Sequence, residues 1–229
     1  GAGIQTLLTL VKTVALGGLI FLGITLFRHA DVWVANTAHF WGAAPWSLAM
    51  LPVVAAAMVG SLFSSDAWNN VTFAAAEVRE PARNLPRALA LGTGLVTLLY
   101  LLANVAYLNV LPFGGDPAGV DAVARGIQHA ASDRIGAAAA EVMLGSAGAL
   151  VMAGLIVIST FGCNAGLILS GPRLYWAMAQ DKLFFAPAAV LHPAHRTPVF
   201  GLWAQAVLTS LLGLTGTYNQ LLDFVTPAV

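Results

Sequence analysis

Long apolar segments separated by short polar connections make up most of this chain. Lys12 is the only charged residue between positions 4 and 27, and residues 88–110 contain none. An apolar segment of about 20 residues is long enough for an α-helix to cross the hydrocarbon core of a bilayer. The pattern therefore predicts an all-α integral membrane protein. Its predicted spans are residues 4–27, 46–78, 88–111, 141–170, 199–214 and 221–229, the last of which we interpret as a truncated helix.

The second predicted span, residues 46–78, is too long for one plain transmembrane helix. As a straight helix it would be about 50 Å long, whereas the hydrocarbon core is about 30 Å thick. Its middle holds Ser64, Ser65 and Asp66, and short polar side chains compete with the helix for backbone hydrogen bonds. A carboxylate at mid-membrane depth usually marks a functional site. We therefore predict that the helix breaks at these three residues; the alternative is a tilted, continuous helix that ends at Arg79.

Lysine and arginine are divided unequally among the polar connections. Residues 79–87 and 171–198 contain three each, whereas residues 28–46 contain one and residues 112–136 contain two. Because short loops rich in Lys and Arg stay in the cytoplasm, the connections with three are predicted to be cytoplasmic and the other two external. The alanine-rich stretch 121–139 predicts short helices lying over the membrane surface. This topology is that of a multi-pass protein of the cell membrane.

Composition and charge rule out several classes of function. The 229 residues are 59% hydrophobic and 9% charged, with a mean hydropathy of +0.81, unlike an average soluble domain. The net charge is zero and the basic residues form no run, so we expect a lipid bilayer as partner and no nucleic acid. His192 and His195 have no carboxylate or cysteine nearby to complete a metal site. We therefore expect no catalytic residues, no metal and no cofactor, and predict that the protein is not an enzyme.

The fourth predicted span carries small and polar residues at helical spacing. Gly162 and Gly166 are four residues apart, a spacing typical of close helix packing in membranes. Ser159 and Thr160 add hydroxyl groups, which leaves open whether they form contacts between helices or an ion site. Cys163 has no second cysteine with which to form a disulfide, and we interpret it as a small buried residue.

A broken span, a carboxylate within the membrane and a lone lysine in another span are together typical of transporters. Where a helix unwinds, its N–H and C=O groups become available as ligands for a substrate. A substrate with both an ammonium and a carboxylate group could use both kinds of backbone group. Amino acids have this chemistry.

Two separated motifs resemble amino-acid permeases of the amino acid-polyamine-organocation superfamily, in particular the L-type amino-acid transporters and their bacterial relatives. The first motif resembles their sixth helix and the loop after it, and the second resembles their eighth helix and its cytoplasmic end. The first comprises Phe-Ser-Ser-Asp-Ala-Trp-Asn at 63–69, Glu77 and Asn-Leu-Pro-Arg-Ala at 84–88; the second comprises Ser-Thr-Phe-Gly-Cys-Asn at 159–164 and Gly-Pro-Arg-Leu-Tyr at 171–175.

The resemblance covers essentially the whole chain and implies its fold. The superfamily has an inverted-repeat (LeuT-type) transporter fold of five plus five helices. By this resemblance the chain, residues 1–229, is one transmembrane transporter domain and a fragment of that fold. It would hold helices five to nine and the start of helix ten. Helices one to four of the same protein would then be missing partners, and helix one would form half of the substrate site.

The resemblance also implies which residues form the site. The unwound sixth helix would bind the ammonium group of the substrate, and Lys12 would stand where other members of the superfamily hold a sodium ion. The implied substrate-binding residues are Phe63, Ser64, Ser65, Asp66, Trp68 and Asn69, and the implied ion-site surrogate is Lys12 with Ser159 and Thr160.

One departure leaves the substrate open. Many L-type members have a glycine pair before the tryptophan, where this chain has Asp66 and Ala67. An ionised Asp66 would favour cationic amino acids, or it could hydrogen-bond the free backbone of the break without contacting a neutral substrate. The resemblance predicts amino-acid transport by alternating access without sodium, by exchange, proton coupling or facilitation. The alternative is a membrane sensor or assembly subunit that keeps the fold without transporting.

Overall fold

The computed structural model describes residues 2–38, 47–64, 68–217 and 220. Within these residues the chain forms helices joined by turns and contains no strand. Three helical segments are long and apolar enough to cross a membrane: Gly3–Leu26, Pro81–Val110 and Ser146–Gln180. The prediction of an all-α protein with several apolar helices is therefore confirmed for the part of the chain that the structure describes.

The first segment consists of α1 (Ala2–Phe21) and a π-helical continuation, Leu22–Leu26. Two threonine hydroxyls in this segment are satisfied by their own helix. The hydroxyl of Thr13 donates to the carbonyl oxygen of Thr9 over 2.8 Å, and Thr25 donates in the same way to Phe21. Such hydrogen bonds let threonine lie in a segment of bilayer length without a partner from another helix.

The predicted span 46–78 contains two different helices in the described residues. A 3-10 turn, Leu48–Met50, leads into α3 (Leu51–Ser64), and a 3-10 helix, Asn70–Glu77, follows later. Ser64 is still helical, contrary to the prediction that it is part of the break. A serine in the last turn can keep its N–H bonded to the preceding turn of the helix. Ser65 and Asp66 lie outside the described residues, so a break at those two positions stays a prediction.

The arginine-rich connection predicted at residues 79–87 is mostly helical. The next helix, α4 (Pro81–Val110), begins at Pro81, so that Arg83 and Arg87 lie in its first two turns. Proline is favoured at the first position of a helix because its missing N–H would have no partner there. The carbonyl oxygen of Glu80 accepts hydrogen bonds from the N–H groups of Arg83 and Asn84 and so starts the helix.

The structure divides into two compact units, of which the first comprises Gly1–Pro45 and Gly94–Cys163. It contains α1, the short helices α2 (Ala30–Thr37) and α5 (Ala122–Arg125), and α6 (Ile135–Leu144). It also contains the last part of α4 and the first part of α7 (Ser146–Gln180). The core of the unit is rich in alanine: its buried residues are Leu19, Val110, Leu111, Ala122, Ala130, Ala138, Ala139, Ala140 and Met143.

Small residues let these helices approach closely. A Cβ atom added at Gly23 would lie 2.9 Å from the Cβ atom of Ala106, so α1 and α4 are in backbone contact there. Gly145 separates α6 from α7 and has a φ of 70°, a conformation that glycine adopts without strain. The helix α6 includes part of the alanine-rich stretch predicted to lie over the membrane surface. Three successive alanines of this helix, Ala138, Ala139 and Ala140, are buried.

Asn36 fastens α2 to the end of α4. Its side-chain amide donates to the carbonyl oxygens of Leu108 and Leu111 over 2.8 Å and 2.9 Å, and its side-chain oxygen accepts from the N–H of Phe113 over 2.7 Å. These bonds satisfy carbonyl groups at the end of a helix that have no partner within it. The side chain of Asn36 therefore fixes where the chain turns after α4.

The second unit comprises Trp46–Thr93 and Asn164–Val229. In this unit α8 (Val199–Thr215) packs on α7 at Pro172, where a Cβ atom added at Gly201 would lie 2.9 Å from the proline Cβ. The connection between α7 and α8 is tied back to α7, because Trp176 and Gln180 both donate to the carbonyl oxygen of Ala189.

Replacing Gly23 by alanine tests the contact between α1 and α4. The added methyl group has no room beside Ala106, and overpacking costs about 1–3 kcal/mol, so we expect the midpoint of thermal unfolding to fall by about 2–8 °C. Gly17→Ala is the matched control in the same helix, since a Cβ atom there meets nothing within 4 Å. Melting would be followed by fluorescence-detected size-exclusion chromatography. Equal midpoints for the two variants would contradict this packing.

The predicted topology is tested by introducing cysteines into a background without other cysteines. A cysteine at Arg83 should react with a membrane-impermeant maleimide only after the cells are opened, because the first turns of α4 are predicted to be cytoplasmic. A cysteine at Gln128, an exposed residue of the predicted external connection, should react in intact cells. The reverse labelling pattern would show that the protein has the opposite orientation in the membrane.

Candidate functional site

A cavity of about 510 Å³ lies within the first unit, between α1, α4, α6 and α7. Apolar side chains form most of its wall, including Leu19, Met143 and Met152. Polar and ionisable groups also contribute to the wall: Lys12, Thr13, Tyr100, Ser159 and Cys163. Lys12 is the only one of these residues that carries a permanent charge at neutral pH.

Lys12 extends from α1 toward α7. Its ammonium nitrogen lies 3.9 Å from the sulfur of Cys163, to which it donates a hydrogen bond. Among the described residues no carboxylate lies within 4.0 Å of this nitrogen. The ion pair in the described part of the chain joins Arg83 and Glu80, both of which are exposed. A lysine within a membrane span costs about 2.5–3.5 kcal/mol on insertion scales. The partner of this ammonium group in the structure is a thiol rather than a carboxylate.

The contact between α1 and α7 that places Lys12 beside Cys163 depends on a neighbouring glycine. The side-chain amide of Gln5 donates to the carbonyl oxygen of Gly162 over 3.1 Å. A Cβ atom at Gly162 would lie 3.3 Å from the Cβ of Leu8. A larger residue at position 162 would push α7 away from α1, so this glycine has the packing role that its spacing predicts.

The structure separates the two hydroxyl residues that were predicted to accompany Lys12. Ser159 lines the same cavity as Lys12. Thr160 does not line it, and its hydroxyl donates to the carbonyl oxygen of Ile156 in its own helix over 2.8 Å. Successive residues of a helix point about 100° apart, so two neighbours do not share one narrow face.

Thr13, Tyr100 and Cys163 line the cavity but were not among the predicted site residues. Of these, Cys163 contacts Lys12. It lies four residues after Ser159, which places both side chains on one face of α7. The expectation of a small buried residue is wrong, because Cys163 is exposed and contacts Lys12. The helical spacing from Ser159 was a signal that could have identified it.

The residues predicted to bind substrate are only partly described. Phe63 and Ser64 end α3, and their side chains are not among those described; Ser65 and Asp66 lie outside the described residues. Trp68 and Asn69 form a turn before the 3-10 helix Asn70–Glu77. Trp68 is 59% exposed, and the backbone oxygen of Asn69 accepts both the N–H and the hydroxyl of Thr72. These residues belong to the second unit, whereas Lys12, Ser159 and Thr160 belong to the first.

Apolar helices of bilayer length with a lysine inside one of them define a membrane protein. The chain belongs to the amino acid permease family, whose model matches residues 1–228. This confirms the family that the two motifs indicated.

Three transporters illustrate the similarity. The chain is 29% identical over 223 residues to the serine/threonine exchanger SteT of Bacillus subtilis (strain 168), covering 96% of the chain and 46% of that protein. It is 26% identical over 227 residues to the human large neutral amino acids transporter small subunit 2, covering 97% of the chain and 38% of that protein. It is 22% identical over 228 residues to the human b(0,+)-type amino acid transporter 1, covering 98% of the chain and 42% of that protein.

The chain thus spans less than half the length of these relatives. They are amino-acid transporters or exchangers by name, and none is an enzyme. This confirms the prediction that the protein is not an enzyme.

Changing Cys163 tests whether Lys12 needs its partner. Cys163→Ser keeps an acceptor for the ammonium group, and we expect amino-acid uptake within about twofold of the original protein. Cys163→Val fills similar space without an acceptor, so uptake should fall about two- to tenfold, as expected when a hydrogen bond worth about 0.5–1.5 kcal/mol is lost. Uptake by the full-length protein in proteoliposomes measures both. Equal activity of the two variants would show that the thiol has no role in placing Lys12.

Proposed function

We propose that the protein transports amino acids across the cell membrane by alternating access. The observation that carries the proposal is Lys12, a cation that faces a cavity in the protein and has a neutral partner within the described residues. Membership of the amino acid permease family supports it. The substrate would bind at the segment formed by Phe63, Ser64, Ser65 and Asp66, with Trp68 and Asn69 next to it.

The charge of Lys12 supports our proposal that transport is independent of sodium. An ammonium group and a sodium ion repel each other, by about 4 kcal/mol at 4 Å and an effective dielectric constant of 20. Ser159 lines the same cavity and offers a hydroxyl oxygen, the kind of ligand that either cation would need. We propose that the lysine takes the place of a coupling ion in this cavity, with Ser159 rather than Thr160 as its partner on α7.

For the substrate we propose neutral amino acids. Two of the relatives are named for neutral substrates, serine and threonine in one and large neutral amino acids in the other. The bacterial relative is named an exchanger, which makes exchange the mode of transport that we propose.

We expect uptake of radiolabelled neutral amino acids into proteoliposomes to be the same in sodium and choline buffers. Lys12→Ala should reduce the maximal rate at saturating substrate by at least about tenfold, because hydrogen bonds of a charged group are lost from the cavity. Lys182→Ala is the matched control, since it removes a lysine from the connection after α7, outside the cavity.

The outcomes separate the alternatives. Strict dependence on sodium, or an unchanged rate in Lys12→Ala, would rule out the role proposed for the lysine. Competition by arginine but not by leucine or serine would show that the substrate is cationic. No uptake of any amino acid by correctly folded protein would favour a sensor or an assembly subunit.

A further inference from the structure

We propose that the turn at residues 192–197, here the His192 turn, holds the start of α8 only while His192 is uncharged, so that acidification releases it. The turn lies in the connection between α7 and α8 and belongs to the second unit. The inference concerns the structure of α8 and is independent of the transport activity proposed above.

The side chain of His192 is an acceptor of two backbone hydrogen bonds. Its Nδ1 accepts from the N–H of Ala194 over 3.2 Å and from the N–H of His195 over 3.3 Å. The backbone of the same residue closes the turn. Its carbonyl oxygen accepts from the N–H of Arg196 over 2.9 Å, and its own N–H donates to the carbonyl oxygen of Thr197 over 2.8 Å. Every one of these bonds involves His192.

Thr197 connects the turn to α8. Its carbonyl oxygen accepts the N–H of His192 and also the N–H of Val199, the first residue of α8, over 3.0 Å. Pro198 precedes the helix and supplies no side-chain cap. Two backbone bonds therefore hold the start of α8, the one from Val199 to Thr197 and one of 3.1 Å from the N–H of Leu202 to the carbonyl oxygen of Pro198. Gly201, one turn into α8, is in close contact with Pro172 of α7.

Protonation changes what the imidazole can do. A neutral imidazole has one nitrogen that accepts and one that donates, whereas both nitrogens of the charged form donate. A proton on Nδ1 would remove the acceptor of both hydrogen bonds. It would also direct the N–H of the ring at the backbone N–H groups of Ala194 and His195. Imidazole side chains change charge between about pH 5 and 8. Protonation of the His192 ring would therefore remove the stabilisation that these two hydrogen bonds give the turn.

The surroundings of His192 provide no anion to favour the charged form. The ring of His195 stacks on that of His192 with centroids 4.9 Å apart, and Arg196 lies in the same turn. Neither α8 nor the 3-10 turn Ala186–Ala189 contains an ionisable residue. Asp181 and Lys182 are the nearest charged residues before the turn in sequence. Among the described residues no carboxylate lies within 4.0 Å of either imidazole.

The backbone of the turn also favours release. Arg196 has a φ of 49°, a left-handed conformation that is unfavourable for a residue other than glycine. Because the N–H of this residue is bonded to the carbonyl oxygen of His192, the turn holds Arg196 in that conformation. When the bonds to Nδ1 are lost, the chain can return to a more favourable conformation.

Hydrogen exchange of the full-length protein tests the proposal. At pH 7.5 and pH 5.5, after correction for the intrinsic rate at each pH, we expect amides of residues 194–202 to exchange about 5–30-fold faster at the lower pH, because two hydrogen bonds of about 1 kcal/mol each are lost. Amides in the middle of α4 serve as the reference. Equal acceleration there would indicate general unfolding and would overturn the proposal.

Two variants identify the responsible side chain. In His192→Asn the amide oxygen takes the place of Nδ1 and does not titrate, so the acceleration at pH 5.5 should disappear; His192→Asp offers a carboxylate acceptor if the first variant does not fold. His195→Gln is the matched control and should behave like the original protein. The proposal would be overturned if exchange of these amides in the original protein were no faster at pH 5.5. It would also be overturned if exchange in His192→Asn increased as much as in the original protein.

Discussion

In the hydrocarbon core of a membrane, polar groups have no water to bond, so each must find a partner within the protein. Most polar side chains in the apolar helices meet this requirement locally. Thr13, Thr25 and Thr160 donate to carbonyl oxygens four residues earlier, and Asn104 donates to Tyr100 in the same way. These bonds occupy the hydroxyl or amide donors of the four side chains and keep the helices regular. Gln5 and Lys12 of α1 differ, because their partners are on α7.

This difference makes helix packing part of the site. Lys12 reaches Cys163 only because α1 and α7 approach closely at Gly162. At the other end of α1, Gly23 lies against Ala106 of α4. The cavity is lined by residues of α1, α4, α6 and α7. Small residues therefore fix the distances between helices, and larger apolar residues such as Leu19 and Met152 form the cavity wall.

Hydropathy was sufficient to predict apolar helices of bilayer length but not their ends. The helix α4 begins at Pro81 rather than beyond Arg87, because arginines in the first turns of a helix reach water and lower the hydropathy without ending the helix. The division between α6 and α7 depends on the left-handed backbone of Gly145, and glycine occurs at many other positions without such a turn. In the site, helical periodicity could have selected Ser159 and Cys163 together. It could not show which neighbour of Ser159 faces inward, since that depends on how α7 is rotated against α1.

The weakness of the contact between Lys12 and Cys163 is consistent with a moving part. A thiol is a poor acceptor, so it holds an ammonium group loosely. Breaking a buried ion pair by removing one partner costs about 3–5 kcal/mol, which would fix a lysine in one position throughout a transport cycle. A neutral partner imposes no such cost, and the hydroxyl of Ser159 on the same face of α7 lines the same cavity. In the proposed mechanism the lysine can therefore exchange one neutral partner for another as the helices move, while its positive charge remains inside the protein.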